Sequence, residues 1–570
     1  MTRRFSRDLS ACLLVCLLAC VVGACTRGGG SEERLRERDR LVEALISDPK
    51  TFNPLLSTDS ASSQAVDNVF EGLVRLNPRT TLPEPLLAER WEHDDAGTTW
   101  TFHLRRDVRW HDGTPLTADD VAFTFEAIYH PKVPNSVKHI LVAGGEPIGV
   151  EVVDTHTVRL RLAEPLAPLL NGLGFAILPK HILGSALADG TFVQQWGIDT
   201  SPDAIVGTGP YRLAQYVPAQ FLQYKRNDDY WMKDDEGGAL PRLTERTILI
   251  VPDQNTTYLK FLDRQLHVYS PRPEEVADLR ERVDSLNARL DKIGLDTGML
   301  FVAFNRNPAH YEKDGVRAPQ LDWFTDTRFL RAVAHSIDKA SMIQNTYYGY
   351  GEAAVTAVSP ENELFHNPNL EPYEYDLARA RALLDEAGYR DRDGDGVRED
   401  ADGNVLEFEL TTNTGNQVRE RLCAILKEDW AKIGLQVHYR PLDFAALVGR
   451  LQDSFDWDAM VMGFTGGVEP HNGANLWRSS GNLHLWHPNQ ETAATAWEKE
   501  IDEALAQGAR EIDLDKRRLH YWRIQEILHR ELPVVQLVRQ HRFLAYKTYL
   551  TDYSPTVWGL YQPERIAIQR

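Results

Sequence analysis

The chain has 570 residues, 42% of them hydrophobic and 26% charged, with a formal charge of −20 at pH 7. That length exceeds what one hydrophobic core serves, so two or three domains are expected, and beyond the first 25 residues the composition is that of a soluble globular protein. So acidic a surface repels phosphate backbones, which argues against nucleic acid as a partner.

At the start, Arg3, Arg4 and Arg7 precede an apolar run from Leu9 to Ala24. The run is too short for a comfortable membrane span and ends in small residues, as a secretory signal over residues 1–24 does. Val22, Gly23, Ala24 and Cys25 resemble a bacterial lipobox, which implies cleavage before Cys25 and diacylation of its thiol; Leu18-Ala19-Cys20 is an alternative site. Losing residues 1–24 removes three Arg and one Asp and takes the charge to about −22. Residues 25–40, with three consecutive glycines, then form a polar tether. Of five cysteines, Cys12, Cys16, Cys20 and Cys25 lie in or at the end of the signal and only Cys423 remains in the body, so no intramolecular disulfide is expected there. Its neighbours Leu422, Leu426 and Trp430 make it a buried small hydrophobe.

A first strand is expected over 41–46, then the loop Asp48 to Pro54, then a helix over 65–73 where Val66, Val69, Phe70 and Leu73 recur at helical spacing. Trp100, Phe102 and Leu104 alternate with Thr99, Thr101 and His103 as in a strand with one buried face, and Val108 and Trp110 continue it. His111 to Pro115 is turn chemistry, and Thr117 with Asp120 caps a helix carrying Val121, Phe125 and Ile128 on one face. His111 and Asp112 have no nucleophile beside them, so they read as turn residues rather than a catalytic pair. A hairpin is expected over 150–162. The phrase Gly207-Thr208-Gly209-Pro210-Tyr211 lacks the third glycine and the Lys of a phosphate cradle, and reads as a hinge or domain-return loop. Residues 247–251, 256–263 and 266–269 read as strand, helix and strand, which favours parallel pairing through a right-handed crossover.

Further on, a strand at 299–305 leads to a helix from Thr327, and Asp376 and Gly388 bracket another over 377–387. A longer helix over 418–433 stops at Gly434 before the strand 435–439; strands at 458–462 and 534–538 flank a helix over 519–529. Asp391, Asp393, Asp395, Val397, Glu399 and Asp402 have the spacing of an EF-hand calcium loop. The twelfth position is Asp402 rather than Glu and no exiting helix follows, so a solvated acidic turn is preferred, with structural calcium as the alternative. No HExxH, GxSxG, Walker or paired CxxC motif occurs, and no catalytic residue is assigned.

The run Trp110 to Val121 (WHDGTPLTADDV), with NVFEGLV, GTGPY and RAVAHSIDK, resembles the phrases of the family 5 extracellular solute-binding proteins, the oligopeptide- and dipeptide-binding components of ABC importers. The resemblance spans nearly all of residues 40–570. It implies an α/β fold of the periplasmic-binding-protein type II: lobe I from 41–80, 205–295 and 531–570, a small α/β domain inserted at 81–204, and lobe II at 296–530. It also implies a monomeric, non-enzymatic protein without cofactor. Such a protein captures peptides in an interlobe cleft and hands them to the transmembrane subunits of an ABC permease. Its place is the periplasmic or extracellular face of the membrane, which it touches only through the lipid on Cys25.

In dipeptide-binding relatives a Met-Gly-aromatic phrase lines the pocket, followed by an Asp that grips the α-ammonium and then an acidic residue before Pro. Met462, Gly463, Phe464, Glu469 and Pro470 match, but Gly466 and Gly467 stand where the Asp would be, leaving Glu469 or Asp59 as substitutes. Trp477 closes this wall. Thr58, Asp59 and Ser60 after the first strand, Tyr348, and Asn413 with Asn416 are further candidate ligand contacts. The departure at Gly466 keeps open a non-peptide solute, such as a metal chelate or an oligosaccharide, with an extracellular hydrolase as a third reading.

Overall fold

The computed structural model describes residues 39–135, 137–313 and 316–569. The signal, Cys25 and nearly all of the tether lie outside the described residues. Arg40–Leu45 pairs in parallel with Glu245–Ile250, and Phe221–Arg226 and Tyr211–Val217 extend this lobe I sheet antiparallel. A second four-stranded sheet, Ala88–His93, Thr99–Leu104, Thr157–Arg161 and Gly149–Asp154, builds the inserted domain and is antiparallel throughout. The alternation of Trp100, Phe102 and Leu104 puts all three inside.

The helix Ala118–Tyr129 lays Val121, Phe125 and Ile128 on that sheet, and one carboxylate fixes its entry. Asp120 accepts the Thr117 amide at 2.9 Å, the Lys180 amide at 3.0 Å and the Trp110 indole at 3.4 Å. His111 is part of the same joint. Its Nε2 donates to the Gly209 carbonyl at 3.0 Å while Nδ1 accepts the Gly207 amide at 3.3 Å, and burial lowers its pKa to about 4, so the ring is a neutral strut. The glycines of the return loop are needed for close approach: a Cβ on Gly207 would sit 1.9 Å from the Val69 carbonyl oxygen. One apolar core runs from Leu45 through the inserted domain to Ile250.

Two expectations fail here for physical reasons. The helix is Ser60–Val66, not 65–73; the carbonyls of Asn68 and Val69, which a continuing helix would use, accept the amides of Tyr211 and Gly209 from the return loop. Val69, Phe70 and Leu73 are buried nonetheless, which produced the helical period. Likewise Val268–Tyr269 is not a parallel neighbour of Glu245–Ile250. It pairs antiparallel with Ala545 and Tyr546 of Val538–Lys547, in a sheet that also holds Ala288–Leu295 and Gly351–Ala353.

Lobe II has a five-stranded sheet in the order Gln436–Tyr439, Glu407–Thr411, Ala459–Phe464, Met299–Phe304, Val534–Gln536. The first three strands are parallel and Met299–Phe304 runs against both its neighbours. The helices Thr327–Ser336, Leu377–Ala387 and Gln417–Ala431 cover one face, Ala496–Arg510 and Leu514–Glu531 the other. Asp376 caps Leu377–Ala387 and Gly388, at φ +90°, ends it. Cys423 is buried in its helix, and burial pushes the thiol pKa up. Val534–Gln536, placed by sequence with the returning lobe I segment, is instead the edge strand of lobe II, and the chain leaves the lobe only at Leu537. Next to that exit Arg539 donates to the carbonyls of Asp296, Thr297 and Gly298 and to those of Thr356 and Ala357, tying the crossover strands together. Among the described residues, no helix is long and apolar enough to cross a membrane.

Candidate functional site

The carboxyl ends of Glu407–Thr411 and Ala459–Phe464 point the same way, so the loops that follow them share one edge of the lobe II sheet. Ligands of open α/β sheets bind at such edges. Met299 pairs with Phe464, which brings the crossover Asp296–Gly298 to the same place. Backbones lie unusually close here. A Cβ on Gly466 would be 1.8 Å from the Thr297 carbonyl oxygen, and one on Gly298 would be 2.6 Å from that of Phe464, whereas Gly467 faces open space.

Of the residues expected at the site, Gly463, Phe464, Gly466, Asn413 and Asn416 belong to the strand ends and loops of this edge. Gly463 and Phe464 are half-buried, with Phe464 stacked on Phe301 at 5.9 Å between centroids, and Gly466 is exposed. Tyr348, at φ +55° just past Lys339–Tyr347, is 51% exposed. Asn416 caps Gln417–Ala431 by accepting the Arg419 amide at 3.1 Å, and Asn413 Oδ1 accepts Arg419 Nη1 at 2.8 Å. On lobe I, Thr58 and Ser60 are exposed and Asp59 is the cap of Ser60–Val66, holding the Ser62 amide at 3.0 Å and hydroxyl at 2.7 Å.

Three expected pocket residues are turned inward instead. Met462 belongs to the core between the sheet and Leu514–Glu531, because the strand runs on to Phe464 and alternation sends Met462 to that face. Trp477 is in the same core, 6.4 Å from Trp486. Glu469 is 3% exposed and its two oxygens are fully engaged. Oε1 accepts Arg517 Nη2 at 2.6 Å and the His471 amide at 2.9 Å; Oε2 accepts Arg517 Nη1 at 2.9 Å and Asn171 Nδ2 at 3.1 Å. With each carboxylate oxygen carrying two bonds, no lone pair remains for a ligand ammonium.

Sequence reasoning missed Arg419. It sits in the first turn of Gln417–Ala431, half-buried, with Nη2 reaching the Gly463 carbonyl at 3.4 Å. No carboxylate among the described residues pairs with it, and burial pulls its pKa down. Nothing in the local sequence distinguishes it from other helix cations.

In the acidic turn, one oxygen each from Asp391, Asp393 and Asp395 lies within 4.8 Å of the others. These carboxylates accept the amides of Gly394, Asp395, Gly396 and Val397. Glu399 turns inward to take the Arg392 amide at 2.9 Å, so the calcium-loop donors converge only in part.

Residues 83–484 match the model of the bacterial extracellular solute-binding proteins, family 5. The chain belongs to that family. This family 5 protein is 29% identical to the oligopeptide-binding protein AppA of Bacillus subtilis over 79% of its own length and 78% of AppA. The structure of AppA with a nonapeptide superposes with a TM-score of 0.71, covering 93% of this chain and 99% of that one at 25% identity. It is 27% identical to the dipeptide-binding protein of Escherichia coli, covering 93% and 94% of the two chains, and 25% identical to heme-binding protein A of Haemophilus influenzae, covering 97% of each. It is thus an extracytoplasmic solute-binding protein of the ABC importer class.

Proposed function

We propose that this protein captures peptides between its two lobes and delivers them to the transmembrane subunits of an ABC permease, anchored by a lipid on Cys25. The observation that carries the reading is the Gly463 to Gly467 edge, where strand-end backbone lies open beside the interlobe crossover. An extended peptide can hydrogen-bond to such backbone whatever its side chains, which gives affinity with tolerance. Likeness to AppA and to the dipeptide-binding protein supports the choice of guest.

A non-peptide solute is the second reading. It is favoured by the saturated Glu469, the absence of a carboxylate at Gly466 and Gly467, and the end-to-end similarity to heme-binding protein A.

Native mass spectrometry of residues 26–570, followed by thermal melts with a panel of short peptides and with hemin, separates the two. A bound guest at a hundredfold over its dissociation constant adds about 2.7 kcal/mol to stability. Failure of every peptide to raise the melting temperature refutes the first reading. Fatty-acid labelling in cells tests the anchor, which Cys25→Ser should abolish.

A further inference from the structure

We infer that Arg419 is an anion-recognition residue of the cleft and that the captured solute presents a carboxylate to it. This deepens the proposed function and rests on the reading that solutes bind along the Gly463 edge.

Arg419 is placed where an anion would be drawn. It is half-buried at the carboxyl edge of the parallel strands, in the first turn of a 15-residue helix whose amide dipoles also favour negative charge there. A cation at that end of a helix is electrostatically misplaced unless something negative joins it. Among the described residues no carboxylate forms an ion pair with it. The next residue in the chain, Glu420, gives Oε1 to the Gly415 amide at 2.8 Å, and Asp296 on the crossover accepts the Gly298 amide at 2.8 Å and pairs with Arg542 at 3.5 Å. Arg419 is held instead by two neutral oxygens, Asn413 Oδ1 and the Gly463 carbonyl, which fix one N–H on each terminal nitrogen. A guanidinium has five N–H donors in a planar fork, so three are left without a protein acceptor among the described residues. That is the arrangement in which a carboxylate docks with two parallel bonds.

Gly463 adds to the case, since a Cβ there would stand 3.3 Å from Nη2 and crowd the guanidinium. Tyr347, buried at the end of Lys339–Tyr347, lies close enough to Arg419 to feel its charge. The contrast with Arg517 is instructive. That arginine is equally central to the lobe, but Glu469 neutralises it completely, as a structural cation requires.

The test compares wild type, Arg419→Gln and Arg419→Lys by isothermal titration. The probes are two ligand pairs that differ only in charge: trialanine and its C-terminal amide, and hemin and its dimethyl ester. In whichever pair the wild type accepts, the acid should bind roughly tenfold or more tightly than the neutral form. Arg419→Gln should abolish that preference by weakening the acid alone, and Arg419→Lys should restore part of it. Without ligand, Arg419→Gln should melt within about 2 °C of wild type, because the charge is not what holds lobe II together. Equal binding of acid and neutral forms by the wild type, or an unchanged preference in Arg419→Gln, overturns the inference while leaving solute capture intact. If the wild type accepts no probe, the peptide reading loses its support; a fall of several degrees in the unliganded variant then sinks the anion site as well.

Discussion

Arg517 and Glu469 meet fork to fork inside lobe II, and the inserted domain reaches the same carboxylate through Asn171. The joint extends along one seam, where the Ala167 amide donates to the Ala509 carbonyl at 2.7 Å and Arg510 meets Glu164 at 2.6 Å. Burial alone would lower the pKa of Arg517, but the carboxylate beside it raises the value above that of a free guanidinium. Arg517→Met should therefore cost about 3–5 kcal/mol, because Glu469 would be left buried without its countercharge. Replacing both residues by Met should return much of that loss. Urea unfolding of the three variants measures it, and a single-variant loss under about 1 kcal/mol would contradict the assigned role.

Gly466 and Gly467 are neighbours with opposite tolerances. Gly466→Ala drives a methyl into the Thr297 carbonyl and should destabilise lobe II by about 1–3 kcal/mol, whereas Gly467→Ala meets nothing and should be neutral within about 0.5 kcal/mol. Melting temperatures of the pair decide the matter. Equal effects would mean that the close approach at Thr297 is not maintained in solution.

Three buried imidazoles set an acid limit. Burial lowers the pKa of His111 and of His471 to about 4 and that of His267 to about 3, from 6.5. Since the folded values are depressed, the unfolded chain takes up these protons first. The stability they contribute is present above pH 6.5 and drains away as pH falls toward 4, by up to about 1.4 kcal/mol per pH unit for each ring. Unfolding free energies between pH 7.5 and about 4 should show this slope, and His111→Gln should remove one proton's share of it. A flat profile in that window speaks against neutral rings.

The acidic turn at Asp391 satisfies its own amides with its carboxylates. Adding a chelator, or calcium after chelation, should leave the melting temperature unchanged. A calcium-dependent rise would show instead that an ion completes the loop.

Local grammar carried the sequence reading where local forces decide. The Thr117–Asp120 cap, the Asp376 to Gly388 helix and the alternation at Trp100, Phe102 and Leu104 all stand as expected, because each depends on neighbours within a few residues. The failures share a different origin. The helix through Val69 is interrupted by amides from the loop at Gly209 and Tyr211, and Val268 is claimed by a strand from the far end of the chain. Glu469 looked like a ligand contact because its partner, Arg517, lies 48 residues away on a helix that gives no hint of facing it. Arg419 was passed over for the converse reason: lacking a countercharge is a property of three-dimensional surroundings, and its one acidic sequence neighbour, Glu420, turns to the Gly415 amide.

The apolar core that runs unbroken from Leu45 to Ile250 welds the inserted domain to lobe I. Lobe II has a core of its own, hangs on the strands that Arg539 gathers, and meets the welded body along the seam at Glu164, Ala167 and Asn171. Opening should therefore be asymmetric: a broad anvil of one shape against a single hammer that must first give up that seam, with accommodation between cargoes of different bulk set by how far the hammer falls.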